Sequence, residues 1–115
     1  MLFQKQNGIS RALQHIHRHF TEPVSVESLP KIAGLSRSRL FNDFKESIGR
    51  TPGKEVTRLR IELAKQMLIE TDESMEFIAY ECGFQTAQNM YLVFRRDLSI
   101  SPTAFRNNAK ERVDR

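Results

Sequence analysis

The chain has 115 residues, 18 Lys and Arg against 14 Asp and Glu, and a formal net charge of +4 with a pI near 9.6. That length fits one compact domain, or two small cores sharing a helix, and the basic balance favours a polyanion or acidic surface as partner, although it also serves solubility alone. Cys82 is the only cysteine, which excludes an internal disulfide; no apolar run reaches the roughly 18 residues of a membrane span and the start lacks a signal-peptide pattern, so a soluble, cytoplasmic protein without membrane contact is expected.

Residues 1–8 are polar and end in Asn7-Gly8, which predicts a loop or frayed start. From there Ile9, Leu13, Ile16 and Phe20 define one face of a first helix, stopped by Thr21, Glu22 and Pro23. Ser25 is expected to cap a short helix carrying Val26, Leu29, Ile32 and Ala33 inward. Pro30 would cost roughly 3 kcal/mol in a helix interior, so a distorted or 3₁₀-like start is predicted. After Gly34, Ser36 is a good N-cap for a helix running to about Ile48, and Gly49 supplies a left-handed stop.

Thr51 as N-cap and Pro52 at the first helical position open the longest helix, to about Glu70, with Val56, Leu59, Leu63, Ala64, Met67 and Leu68 on one stripe. Ser74 then caps a helix with Phe77, Ile78 and Cys82 facing inward, and Gly83-Phe84 makes a corner. Thr86 or Gln85 opens a helix to about Leu98, whose end should be looser because Ser99 stands where the first copy has Gly49. Ser101-Pro102 starts a final short helix holding Ala104 and Phe105, and the charged tail beyond Asn107 is expected to fray. No strand pattern is visible.

The chain repeats itself. Leu35, Leu40, Phe44, Ile48, Thr51 and Pro52 recur in order as Phe84, Met90, Phe94, Leu98, Ser101 and Pro102, with one residue gained between Phe84 and Met90. Each copy reads as a short helix, a Gly-apolar corner and a second helix opened by small polar residues. That is the grammar of a helix-turn-helix, the unit that lays its second helix in a DNA major groove.

The run Ile78-Ala79-Tyr80-Glu81-Cys82-Gly83-Phe84, then Phe94-Arg95-Arg96, Ser101-Pro102 and Phe105-Arg106, resembles the C-terminal signature of the AraC/XylS family of bacterial transcription regulators. Gly34-Leu35-Ser36-Arg37-Ser38, Gly49-Arg50-Thr51-Pro52 and Arg58-Leu59-Arg60 match the same family upstream, so the resemblance runs from about Ile9 to Arg106. Two departures stand out: Gln88-Asn89-Met90 where the family usually has Ser-Tyr-Phe or similar, and Ser99 in place of glycine. The resemblance implies an all-α fold of about seven helices, with helix-turn-helix subdomains at residues 9–50 and 71–107, a linker helix at 51–70 and a frayed tail at 108–115. It further implies recognition helices presented to successive major grooves of double-stranded DNA, and activation through contact with RNA polymerase. Most members carry a separate sensing or dimerising domain, so the chain is expected to be a stand-alone regulator or, preferably, the DNA-binding part of a longer one.

A helix advances about 100° per residue, so the inward residues determine the outward ones. With Leu40, Phe44 and Ile48 inward, Ser38, Phe41, Asn42 and Lys45 point out; with Met90, Val93 and Phe94 inward, Gln88, Tyr91, Leu92 and Arg95 do. Asn42 and Gln88 suit adenine, Arg95 suits guanine, and Phe41 or Leu92 can pack on thymine methyls. Arg37 is expected to meet phosphate; Arg39 fits phosphate and plain surface charge equally. Thr51 with Lys54, and Ser101 with Arg106, mark helix N-termini that favour an anion, their plain alternative being capping alone. Arg106 has a further alternative, an internal pair with Asp97.

Other signals carry less. His15 and His19 have a metal-compatible spacing without a third ligand nearby, and Cys82 occupies the slot of Ala33, as a small core residue would. No catalytic constellation, cofactor motif or metal site is readable, so no enzyme is expected. The acidic cluster Glu70, Asp72, Glu73 and Glu76 is expected to face away from DNA, as solvated surface or a docking patch for polymerase or another domain. The rival function is a helical protein-interaction module using exposed Phe41, Tyr91 and Leu92.

Overall fold

The computed structural model describes residues 2–114, with side chains described from Asn7 to Arg112. It is all-α among the described residues: α1 (Leu2–His19), a 3₁₀ turn (Val26–Ser28), α2 (Leu29–Ala33), α3 (Arg37–Ile48), α4 (Pro52–Glu70), α5 (Met75–Cys82), α6 (Ala87–Leu98) and α7 (Pro102–Asp114). Two compact units divide inside α4, one ending at Leu59 and the other starting at Arg60. No helix among the described residues is long and apolar enough to cross a membrane.

In the first unit, Ile9, Ala12 and Ile16 of α1 meet Leu29 and Ala33 of α2, Leu40 and Phe44 of α3 and Val56 of α4 in one buried cluster. The expected loop at residues 1–8 is helical from Leu2, and the reason lies at Gly8. A Cβ there would stand 2.7 Å from the Ala33 carbonyl oxygen, so glycine at this point lets α1 approach the α2 corner rather than breaking the helix. Arg11 secures the same corner, donating from Nη2 to the Ala33 carbonyl at 2.8 Å and from Nε to that of Ile32 at 3.2 Å. Pro30 falls in the first turn of α2, directly after the 3₁₀ turn, where its missing donor costs little. Ser25 precedes that turn, but its hydroxyl makes no cap; instead Ser28 Oγ donates to the Ser25 carbonyl at 2.7 Å.

The second unit packs Ile61, Ala64 and Leu68 of α4 against Ile78, Ala79 and Cys82 of α5, Phe84, and Met90 and Phe94 of α6. Phe94 lies edge-on to both Phe84 and Phe105, at centroid distances of 6.5 and 6.4 Å. Cys82 is buried with its thiol 3.7 Å from the Met67 sulfur, and burial, with Glu81 adding, pushes its pKa up to about 11. That suits core packing and not a nucleophile. Phe77, expected inward, is 43% exposed; Met75 takes the inward position of that turn instead. The final helix is not short: α7 continues through the tail expected to fray, as far as Asp114, and Lys110 reaches Asp72 at 3.6 Å.

The residue gained in the second copy is Gln85. Its φ of 73° places it in the left-handed region, and the Thr86 amide donates to the Phe84 carbonyl at 2.9 Å across it. The first corner needs no such residue, since Gly34 (φ 71°) leads through Leu35 to the cap.

Candidate nucleic-acid interface

Both second helices of the repeats begin on side-chain caps. Ser36 Oγ accepts from the Arg39 amide at 3.2 Å at the start of α3, and Thr86 Oγ1 accepts from the Asn89 amide at 3.1 Å at the start of α6. Asn89, where the chain departs from the family pattern, also donates from Nδ2 to the Phe84 carbonyl at 3.2 Å and so ties α6 to its own corner. Gly49 and Ser99, both left-handed, end the two helices. The closing amide-to-carbonyl bond is 2.8 Å at Gly49 and 3.2 Å at Ser99, the longer one where a side chain resists that conformation.

Capping sets the phase of each helix. On α3, Leu40 and Phe44 are buried and Ile48 half-buried, while Ser38, Asn42 and Lys45 are exposed. Phe41 is not fully outward: it is half-buried against the first core, with the Arg37 guanidinium 4.4 Å above its ring. Arg37 is itself held by Glu27, to which it donates from Nε at 3.1 Å and Nη2 at 3.0 Å. Those bonds and the guanidinium charge keep the Glu27 carboxyl below the ordinary range. Arg39 pairs with Asp43 one turn on, at 3.5 Å.

On α6, Met90 and Phe94 are buried and Val93 half-buried, leaving Gln88, Tyr91, Leu92 and Arg95 exposed. Tyr91 and Leu92 are 46% and 53% exposed, a costly display of apolar surface for a helix facing only water. Gln88 and Tyr91 also edge a shallow, mainly apolar groove closed by Met75, Met90 and the start of α7 at Pro102 and Thr103. The stripes correspond position by position: Ser38 with Gln88, Phe41 with Tyr91, Asn42 with Leu92, Lys45 with Arg95.

The phosphate candidates separate into two kinds. Thr51 Oγ1 accepts from the Lys54 amide at 3.3 Å and Ser101 Oγ from the Ala104 amide at 3.0 Å, so both cap their helices; Lys54 is exposed. Arg106 is committed within its own unit. Its Nε donates to the Leu68 carbonyl at 3.0 Å and its Nη2 to those of Thr71 and Glu73 at 3.2 and 3.0 Å, so it closes the C-terminal end of α4 instead of pairing with Asp97. Asp97 is bound by its neighbour Arg96 at 2.7 Å.

A second polar centre escaped the sequence reading. Glu55, its side chain 2% exposed, accepts from Arg50 Nη1 at 2.8 Å and from Arg58 Nε and Nη2 at 2.9 Å each, and meets His17 Nε2 at 2.9 Å. Hydrogen bonding from Arg58 outweighs the opposing effect of burial and, with His17 and Arg50, holds the Glu55 carboxyl down to about 2. A Glu with an Arg three residues on is visible in sequence; the remote His17 is not. The His15 and His19 rings lie 4.6 Å apart, tilted by 39°, and His19 Nδ1 meets Glu22 at 2.9 Å. Among the described residues no three His, Cys, Asp or Glu side chains gather as a metal site would require.

A family model described as a helix-turn-helix domain matches residues 29–108. The HTH-type transcriptional activator RhaS of Enterobacter sp. (strain 638) is 36% identical over 98 residues, covering 85% of this chain and 35% of that protein. The DNA-binding domain of AdpA, solved in complex with a target DNA, superposes with a TM-score of 0.84 at 27% identity over 92% of this chain and 96% of that one. A Chromobacterium violaceum transcriptional regulator, of the AraC-type DNA-binding domain-containing proteins, gives 0.78 at 28% identity over 90% and 93%. The chain spans about a third of the length of the first two curated relatives it matches. These likenesses favour the nucleic-acid reading of the exposed stripes over a protein-interaction module. Two capped helix-turn-helix motifs, repeated within one chain and matched along most of its length, make it a member of the AraC/XylS family of transcription regulators.

Proposed function

We propose that the chain binds double-stranded DNA sequence-specifically and regulates transcription, inserting α3 and α6 into adjacent major-groove segments. The observation that carries this reading is the pair of corresponding exposed stripes on two independently capped helices, one of them displaying Tyr91 and Leu92 to solvent. In this reading Asn42 and Gln88 pair with adenine, Arg95 and Lys45 with guanine, and Leu92 and the exposed edge of Phe41 pack on thymine methyls, with Ser38 and Tyr91 completing the base contacts. Arg37, Lys54 and the helix starts at Thr51 and Ser101 take backbone phosphates. Sites are read about one helical turn apart, roughly 10 to 10.5 base pairs.

The direction of regulation is activation, in line with the transcriptional activator RhaS to which the chain is similar, and it runs through contact with RNA polymerase. A sensing or dimerising domain of a longer chain would supply the inducer response, and the cytoplasm is the compartment where such a protein meets its target. Selection of bound sequences from a random duplex pool, followed by salt titration on the winner, tests the reading. A two-block consensus whose affinity falls steeply with salt is expected; binding without sequence preference, or blocks on opposite faces of the duplex, would refute it.

A further inference from the structure

The Glu55 cluster gathers two guanidiniums on one carboxylate, which the His17 ring also meets. The exposures are lopsided in a telling way: the carboxylate is 2% exposed, whereas the Arg50 and Arg58 side chains are 37% and 42% exposed. The anion is thus spent inside the unit, and the cations it holds stand between it and solvent. A buried Glu that needed only neutralising would be satisfied by one of them, because Arg58 already supplies a two-bonded fork at 2.9 Å. Arg50 is surplus to that need. Among the described residues its side chain donates only through Nη1, at 2.8 Å to Glu55, which leaves its Nε and Nη2 for an outside acceptor.

From this geometry we infer that Arg50 binds a backbone phosphate of the duplex and that Glu55 is its positioning residue. A guanidinium anchored at one nitrogen loses little further freedom on binding and meets a phosphate with a planar pair of donors, which a flexible lysine cannot do. Arg50 immediately precedes Thr51, and exposed Lys54 lies within the next turn, so the three basic and capping side chains act on one stretch of backbone. The inference rests on the proposed DNA reading and adds to it a contact that carries affinity without sequence information.

The test is fluorescence anisotropy of the full chain on its selected duplex across a salt series, with thermal melting of each variant alongside. Arg50→Ala should reduce the slope of log affinity against log salt by about 0.9, the value for one phosphate contact, while the ranking of competing duplex sequences stays as in the unmodified chain. Arg50→Lys should keep most of the slope and recover part of the affinity. Glu55→Gln leaves the Arg50 charge in place, so it should keep most of the slope while weakening duplex binding of the folded chain, and adding it to Arg50→Ala should weaken binding no further. A structural role alone would move the melting temperature and leave the affinity of the folded chain intact. An unchanged slope in Arg50→Ala overturns the phosphate contact; an unchanged affinity in folded Glu55→Gln, or a further loss in the double variant, overturns the positioning role. If the unmodified chain binds no duplex, the DNA reading itself falls and takes this inference with it.

Discussion

The Glu55 cluster makes acid stability of the first unit a quantitative matter. In the folded chain the carboxyl is held at about 2 against an ordinary value of 4.5, so the unfolded chain takes up a proton first as pH falls. The stabilisation is therefore complete above pH 4.5, declines through the window between the two values and is gone once pH drops below about 2. The Glu55 side chain is 2% exposed, so solvent screening removes little, and the displacement corresponds to at most about 3 kcal/mol. Urea denaturation at a series of pH values from 6 down to 2 would measure it, with the Glu55→Gln variant as reference, because every other carboxyl titrates in both proteins. The unmodified chain should lead the variant near neutrality and lose that lead as acid is added. A stability difference that stays constant across the series would show that the Glu55 charge contributes nothing and that the cluster is mere proximity.

Further outcomes follow from single contacts. Gly8→Ala should cost about 1 to 3 kcal/mol in thermal melting, since the new Cβ meets backbone oxygen at 2.7 Å, whereas Gly53→Ala, with open space at that position, should be neutral or stabilise by up to about 1 kcal/mol. Arg106→Ala removes bonds to three carbonyls and should lower stability by about 1 to 3 kcal/mol without changing the salt slope of duplex binding; a reduced slope would show that Arg106 also takes a phosphate. Gln88→Ala and Arg95→Ala should each cost about 1 to 3 kcal/mol of duplex affinity and relax preference at one position, and selection profiles identical to that of the unmodified chain would remove α6 as a reading helix.

What the sequence revealed and what it hid divide by distance along the chain. Caps at Ser36, Thr51, Ser74, Thr86 and Ser101 act on amides three residues away, and each accepts the bond its position predicts. The inward and outward sets on α3 and α6 are equally local, because helix phase carries them, and only Phe41 sits deeper than expected. Partners far apart were invisible. Arg106 finds its carbonyls more than thirty residues upstream, and His17 meets Glu55 across 38 residues, so nothing near either side chain announces its use. Asn7-Gly8 misled for a related reason: as a dipeptide it signals a turn, and only the nearby Ala33 carbonyl explains a glycine within a helix. Phe77 was misplaced because several apolar residues share α5 and the core takes Met75, Ile78, Ala79 and Cys82.

The extra residue at Gln85 has a consequence for how such a duplicated protein can diverge. An insertion within α6 would swing every later side chain about 100° around the axis and scramble the contacts it offers. Lodged in the corner at a φ of 73°, the same insertion is absorbed before Thr86 starts the helix, and the rotational setting of Gln88, Tyr91, Leu92 and Arg95 is untouched. Loop length and the chemistry of the exposed stripe are thereby uncoupled, and selection is free to rewrite one without disturbing the other.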